Sequence, residues 1–430
     1  FVFSRKVLNF FLRKKFDFDR PDINLFNFHP QLRIFLVPKG VFFNNRDSRL
    51  RFIWPCFSIQ LSIVAMVLED IFIWHGINVK DYTFATECFC YWVILGCIPI
   101  VYVSTLINTQ KLYDIVQAMN EEFIYICSLG PKYRKPFLDG QLLIWQLCYA
   151  WFIFVCFVGG LFLVLPLIVL FYQSLWETQD EHMVRPLPFP MWFPADDPYR
   201  SPNYEIFLVM ESTLCLSFIQ TFCVYIYTLF HILLHYYIIM NMIIIDFGVI
   251  FEGLDKSVAL LPRYDKRRME TQLVLNARIA RIVQWHLAVF RAVATVSSVY
   301  GPVLVYQVSC SATAICLIAY QIAEKLDNGT VDILFCLLGV AACMQLWIPC
   351  NLGTMIRNKG FDIADECWTC GWHETPLGLM IRTDITIIIL LSQKPVTIKF
   401  TGMPQVQLNT FSSLMSSAYS YFNMLRQYSK

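Results

Sequence analysis

Residues 205–250 read EIFLVMESTLCLSFIQTFCVYIYTLFHILLHYYIIMNMIIIDFGVI. Only Glu205, Glu211 and Asp246 are charged, and no proline or glycine interrupts the run before Gly248. An unbroken segment this long reads as a helix that is apolar on every side, which belongs in a large core or a membrane. At 1.5 Å per residue it would extend about 70 Å, roughly twice the hydrocarbon core of a bilayer. Part of it can therefore cross a membrane while the rest projects beyond.

The remainder of the 430 residues agrees: 57% are hydrophobic, only 15% are charged, and mean hydropathy is +0.52. Soluble proteins of this size carry about a quarter charged residues. Further runs near 52–73, 83–106, 142–172, 286–323 and 331–352 are long enough to span, and 404–428 makes seven. The element that starts near Thr271 also overshoots the bilayer, and Gly301-Pro302 is expected to kink or break it. Its first part, LVLNARIARIVQWHLAVFRAVA, sets Arg278, Arg281 and Arg291 among apolar residues. This part and the amphipathic stretch around 361–390 predict a helical bundle outside the membrane. The run ITIIILL at 385–391 is too short to span and is placed in that bundle. No repeat or flexible linker divides the chain, so 1–430 reads as one all-α membrane domain.

Charge sets the orientation. Segments 1–51, 107–141, 251–285 and 353–384 hold eleven, four, seven and three Lys/Arg, against one, two and one in 74–82, 173–204 and 324–330. By the positive-inside rule the N-terminus is cytoplasmic, and seven spans put the C-terminus outside. The first 51 residues then form a cytoplasmic segment, 52–352 the first six helices, 353–403 a cytoplasmic anchor and 404–430 the last helix. The start, FVFSRKVLNFFLRKKFDFDRP, lacks a sustained apolar stretch before Arg13, so it reads as a basic segment on the membrane surface, with no cleaved signal peptide. The sequon Asn328-Gly329-Thr330 falls in a predicted outer loop, making Asn328 a glycosylation candidate. A net charge of +2 gives no pointer to nucleic acid. None of the sixteen cysteines lies in the outer loops, so no disulfide framework is implied.

The last helix is the odd one. On a wheel at 100° per residue, Asn409, Ser413, Ser416, Met424 and Gln427 fall within about 40° of Ser420. Phe411, Leu414, Met415, Ala418, Phe422 and Leu425 take the opposite side. Small polar groups in a membrane face another helix or water. The stripe is therefore a helix–helix interface or the lining of an aqueous pore, in which Met424 alone is apolar and would form a hydrophobic constriction.

Ala418-Tyr419-Ser420-Tyr421-Phe422-Asn423-Met424-Leu425-Arg426 resembles the SYSYFxLLR ending of insect odorant receptors, with Asn423 where Thr is usual. Ser392-Gln393-Lys394-Pro395 resembles the family's SQKP, and Cys370-Gly371-Trp372-His373-Glu374-Thr375-Pro376 its C-x-W-x-x-x-P stretch. Phe189-Pro190-Met191-Trp192-Phe193-Pro194 with Ser201-Pro202-Asn203-Tyr204-Glu205 resembles its second outer loop, and Gly301-Pro302-Val303-Leu304 its fifth helix. The matches run in order from about 189 to the end. The resemblance implies a receptor of olfactory neuron plasma membranes, without enzymatic activity or cofactor. It implies tetramers joined by a cytoplasmic anchor and a central pore passing monovalent and divalent cations, lined by the last helix. Through the ending, the gate maps onto Met424, with Ser413, Ser416, Ser420, Gln427 and Tyr428 along or beside it. The family's co-receptor carries a long insertion in its second cytoplasmic loop. The short 251–285 here implies instead an odorant-binding subunit that assembles with that co-receptor.

The same resemblance implies a pocket for a small volatile ligand in the outer half of the membrane, among helices two, three, four and six. The positions are Phe84, Cys88, Tyr91 and Trp92; Phe157, Gly160 and Val164; Met210 and Leu214; and Phe335 and Leu338. Ordinary helix packing is the competing reading for each. Glu87 and Glu211, costly in lipid, would anchor a ligand, attract cations or bond helices together. His231 and His235 have the i, i+4 spacing of a zinc site but no third ligand, and Cys367 with Cys370 is a lone CxxC, so no metal site is expected. A gustatory receptor of the same superfamily is the nearest alternative. A G-protein-coupled receptor would need the opposite orientation and shows no DRY or NPxxY-like motif.

Overall fold

A computed structural model describes residues 2–41, 49–176, 185, 187–192, 199–399 and 405–428, except the side chains of 2–5, 174, 176 and 428. The helices in chain order are α1 Val2–Phe11, α2 Leu25–Phe28, α3 Pro30–Leu36, α4 Ile53–Val79, α5 Tyr82–Leu95, α6 Cys97–Ile107 and α7 Thr109–Ser128. They continue as α8 Pro131–Trp176, α9 Asn203–Gly248, α10 Lys266–Asp327, α11 Ile333–Thr369, α12 Arg382–Ser392 and α13 Leu408–Tyr428.

Six stretches are long and apolar enough to cross a membrane: Arg49–Val79, Tyr82–Ile107, Pro131–Gln173, Asn203–Gly248, Lys266–Asp327 and Ile333–Thr369. At 21 residues α13 has the length, about 30 Å, but its hydroxyls hold its apolarity below theirs. It is the seventh membrane helix by length alone. The opening stretch forms the central helix α9, where every residue from Thr221 to Met240 except Tyr237 is buried. It packs against α8, α10 and α11, which surround its all-round apolar surface.

Prolines lie inside these helices, and neighbouring side chains take up backbone carbonyls at or beside the gaps. Pro99 cannot donate to the Leu95 carbonyl four residues back; Ser62 of α4 donates to it instead, at 3.0 Å. Gly96 parts α5 from α6 there, and Tyr306 of α10 donates to the Val93 carbonyl at 2.7 Å. Pro349 leaves the Gln345 carbonyl free, and the Gln307 amide donates to it at 2.6 Å. Gly301-Pro302 corrects the expectation of a break: α10 runs through it as one helix of 62 residues. Ser104 of α6 donates to the neighbouring Val299 carbonyl, and the flanking turns are buried against other helices.

The ends of α8–α11 join α1–α3, α7 and α12 in a charge-rich bundle. The region 107–141 contains α7, because Leu112, Ile115, Val116, Met119, Phe123 and Ile126 make one helical face that is buried. Arg281 holds the buried Asp246 with two bonds, Nη2 to Oδ1 at 2.6 Å and Nε to Oδ2 at 2.7 Å, and Tyr133 also donates to Asp246. Arg278 donates to the carbonyls of Val249, Ile250 and Glu252 at 3.0, 2.8 and 3.0 Å, in the turn that follows α9. Within α12, Ile385 and Ile388 are buried in the core shared with Ile356, Ile363 and Cys367 of α11.

The N-terminal segment seals one flank of this bundle. His29 shares a hydrogen bond with Gln141 at 3.0 Å, which in turn meets His235 Nδ1 at 3.0 Å. Burial, then the nearby His231, holds the His29 imidazole well below its usual pKa. Burial also pushes the Lys39 ammonium down to about 7. Arg13 lies 3.7 Å over the Trp145 ring.

Candidate functional site

Between α5, α8, α9 and α11 lies a cavity of about 90 Å³, away from the charge-rich bundle. These are the segments on which the sequence places a ligand. Tyr91, Ile94 and Leu95 face it from α5, and Trp151, Phe154, Val155, Val158, Gly159 and Phe162 from α8. Cys215, Phe218, Ile219 and Phe222 come from α9, and Leu338, Ala341, Ala342 and Gln345 from α11. Phe189, between α8 and α9, closes another side; its ring meets Tyr91 edge-on at 4.9 Å. Its backbone N–H donates to Glu211 at 3.1 Å, so Glu211 holds the closing segment in place. Gly159 permits close approach of α8 and α9, since a Cβ there would lie 2.2 Å from Ile219 Cγ1.

Of the predicted contacts, Tyr91 and Leu338 line the cavity. Phe335 sits behind Tyr91, ring centroids 5.8 Å apart. Phe84, Cys88 and Met210 gather instead around Phe72 and Met191, in a separate cluster. Leu214 packs with Ala65, Leu95, Ile98 and Tyr102, while Trp92 lies beside Phe89 with its indole nitrogen unpartnered. On α8 the predicted face is turned away: Phe157 is 58% and Val164 47% exposed, and a Cβ on Gly160 would meet nothing within 4 Å. The face that lines the cavity includes Trp151, Val155, Val158 and Phe162. No periodic signal could have separated the two, because both faces are apolar.

A second void of about 70 Å³ adjoins the first and shares Ile94, Phe222, Ala342 and Gln345 with it. Ile315 and Leu346, on its far wall, cluster with Ala418 of α13. Around that contact, the apolar edge of α13 (Phe411, Leu414 and Met415) packs on α10 and α11. Ser413, Ser416, Ser420 and Gln427 lie on the exposed edge with Met424, which is 50% exposed. The hydroxyls of Ser416, Ser417 and Ser420 donate to carbonyls one turn back, each at 3.0 Å. Arg426 ties the end of α13 to Asp327 of α10 at 2.8 Å. The Tyr428 side chain lies outside the described residues.

The remaining candidates have structural partners. Glu87 lies 3.8 Å from Lys325, which also contacts Asp332 at 2.7 Å. His231 meets His29 edge-on at 4.4 Å, and among the described residues no group of three or more His, Cys, Asp or Glu is placed to share a metal. Cys367 and Cys370 are free thiols, donating to the carbonyls of Ile385 and Cys367. Asn328 is exposed in the turn between α10 and α11.

A family model described as 7tm Odorant receptor matches residues 85–419. Odorant receptor 13a of Drosophila melanogaster is 21% identical over 396 residues, 87% of each chain. Odorant receptor 82a of the same organism is 22% identical over 365 residues, 81% of this chain and 86% of its own. The odorant receptor coreceptor of Anopheles gambiae is 26% identical over 157 residues, 36% of this chain and 32% of its own. The fold is similar to the insect olfactory receptor OR5 from Machilis hrabei, with TM-score 0.66 at 18% identity, covering 93% of this chain and 98% of that one. The same receptor in complex with eugenol gives 0.67 at 17% identity, covering 93% and 97%.

Proposed function

The chain belongs to the 7tm odorant receptor family, and from that premise we propose that it is the odorant-binding subunit of a ligand-gated, nonselective cation channel. The observation that carries this reading is the division of α13 into two edges. Its apolar edge is used up on α10 and α11, and its hydroxyl edge faces nothing in its own chain. A membrane helix leaves such an edge open only toward water or another subunit. Copies of α13 around an axis would line a pore, with Met424 as a hydrophobic constriction that closes by dewetting.

The volatile ligand occupies the apolar cavity, whose size and lining suit a small, mostly apolar molecule. The similarity to Odorant receptors 13a and 82a over most of the chain supports the tuning role, with a co-receptor of the same fold as partner. The charge-rich bundle lies in the cytoplasm of an olfactory neuron, and Phe157, Val164 and their neighbours face lipid in its plasma membrane. Ligand binding reaches α13 through the second void, from Gln345 and Ala342 to Leu346, Ile315 and Ala418. It opens the pore only to the extent that the ligand prefers the open arrangement.

Whole-cell recording under a panel of volatiles, with and without a co-receptor, tests the assignment. Odorant-evoked cation current mainly in the co-expressing cells is expected; strong current from this chain alone overturns the tuning role. Met424→Ser should raise ligand-free leak, and an unchanged basal current removes Met424 from the constriction. Tags at both termini separate this reading from a G-protein-coupled receptor, which would expose the N-terminus outside.

A further inference from the structure

Gln307 of α10 sits where α9, α10 and α11 meet, and it is buried. Both ends of its amide are used. Nε2 donates to the Gln345 carbonyl of α11 at 2.6 Å, and Oε1 accepts from the Tyr225 hydroxyl of α9 at 3.4 Å. That carbonyl is the one Pro349, four residues on, leaves without its helical donor. A helix is loosest where such a bond is missing, so the joint in α11 is closed from outside by a neighbouring helix. The stretch of α11 before this joint has two duties. Its Leu338, Ala341, Ala342 and Gln345 form one wall of the apolar cavity. Its Ala342, Cys343 and Leu346 also pack in the cluster that seats Ala418 of α13. Admitting a molecule as large as benzene takes about 150 Å³. The cavity of about 90 Å³ must therefore widen, and Ala342 and Gln345 are part of what divides it from the void beside it. Gln307 lines that second void.

We propose that Gln307 is a positioning residue for gating: its bond to the Gln345 carbonyl latches the first half of α11 in the resting position, and ligand binding works against that latch. The inference rests on the proposed odorant-gated reading and adds the residue that sets its threshold. Without the bond, the equilibrium that a ligand must shift already lies closer to the open arrangement. The latch then acts at the one joint where the wall between ligand and pore helix can yield without breaking a helical hydrogen bond of its own.

Currents are recorded from cells expressing this chain with a co-receptor, under a panel of volatiles that includes eugenol, benzaldehyde and hexanal; the member evoking the largest current is the probe. Gln307→Met keeps the length of the side chain and removes both amide bonds. It should lower the half-maximal concentration about fivefold, the worth of one neutral hydrogen bond, and raise the ligand-free current. A merely structural role would instead cut surface expression and maximal current and leave the half-maximal concentration in place. Pro349→Ala returns an N–H to the Gln345 carbonyl within α11. In that background Gln307→Met should shift the half-maximal concentration by less than about twofold. Tyr225→Phe frees Oε1 and should act in the same direction as Gln307→Met, by about twofold, and it serves if Gln307→Met does not reach the surface. An unchanged or raised half-maximal concentration in these single variants, or an equal shift with and without Pro349, overturns the inference and leaves the odorant-gated reading standing. Silence of the unmodified chain to the whole panel counts against that reading itself, and the inference falls with it.

Discussion

The two ends of this molecule are built from different side chains. In the charge-rich bundle, Asp246 is gripped by Arg281 and Tyr133, and Arg278 occupies carbonyls of the turn that follows α9. The cavity wall is instead almost wholly apolar, with Trp151, Tyr91 and Gln345 among its few polar side chains. A buried charge must be paired or the fold fails, whereas an apolar wall needs no partner and can enclose a void. The first end is built for rigidity and the second for occupancy. The second void adjoins the cavity, and Ile315 and Leu346 of its wall meet Ala418 of α13.

The sharpest way to break the contrast is to remove a charge at the rigid end. Asp246→Ala leaves the Arg281 guanidinium partly buried and unpaired, a loss of about 3–5 kcal/mol for such a pair. Surface expression and the thermal midpoint of the detergent-purified protein should both collapse; near-normal values mean the pair is not structural. At the cavity a smaller change should affect response before stability. Gly159→Ala puts a Cβ 2.2 Å from Ile219 Cγ1, so that the Ile219 side chain or α9 must shift, costing about 1–3 kcal/mol. Its volatile response should weaken at least tenfold while surface expression persists; an unchanged dose–response curve separates this approach from ligand binding.

A third test concerns pH at the N-terminal segment. Lys39 titrates near 7 in the fold and near 10.5 when unfolded, so between those values the unfolded chain holds the extra proton. Stability rises with pH across that window and is lost as pH falls toward 7. His29, depressed below 6.5 by burial, works in the same sense, and acid below 6.5 weakens the fold further. Lys39→Met should flatten the midpoint between pH 7 and 10 relative to the unmodified chain. Parallel curves sink the assignment.

Much of this was readable in the sequence where one face of a helix differs from the other. The stripe through Ser413, Ser416 and Ser420 is visible because hydroxyls and apolar side chains alternate at helical spacing, and it lies on the exposed edge of α13. α8 is the counterexample. Phe157, Gly160 and Val164 are as apolar as Val155, Val158 and Phe162, since lipid and an apolar cavity ask for the same side chains. Nothing in the period says which way that helix is rotated. Gly301-Pro302 did not break α10 for a related reason, because the turns on either side of it are buried against elements distant in sequence.

By itself the sequence determined that the chain is a bundle of membrane helices, how far α9 and α10 overshoot the bilayer, and which edge of the last helix is polar. These follow from residue chemistry and a fixed rise per residue. Only the tertiary structure decided the rotation of each all-apolar helix, the carbonyls rescued beside prolines, and the gathering of Trp151, Tyr91 and Gln345 around one void. Each of those depends on which side chains meet across helices, a contact that local pattern does not encode.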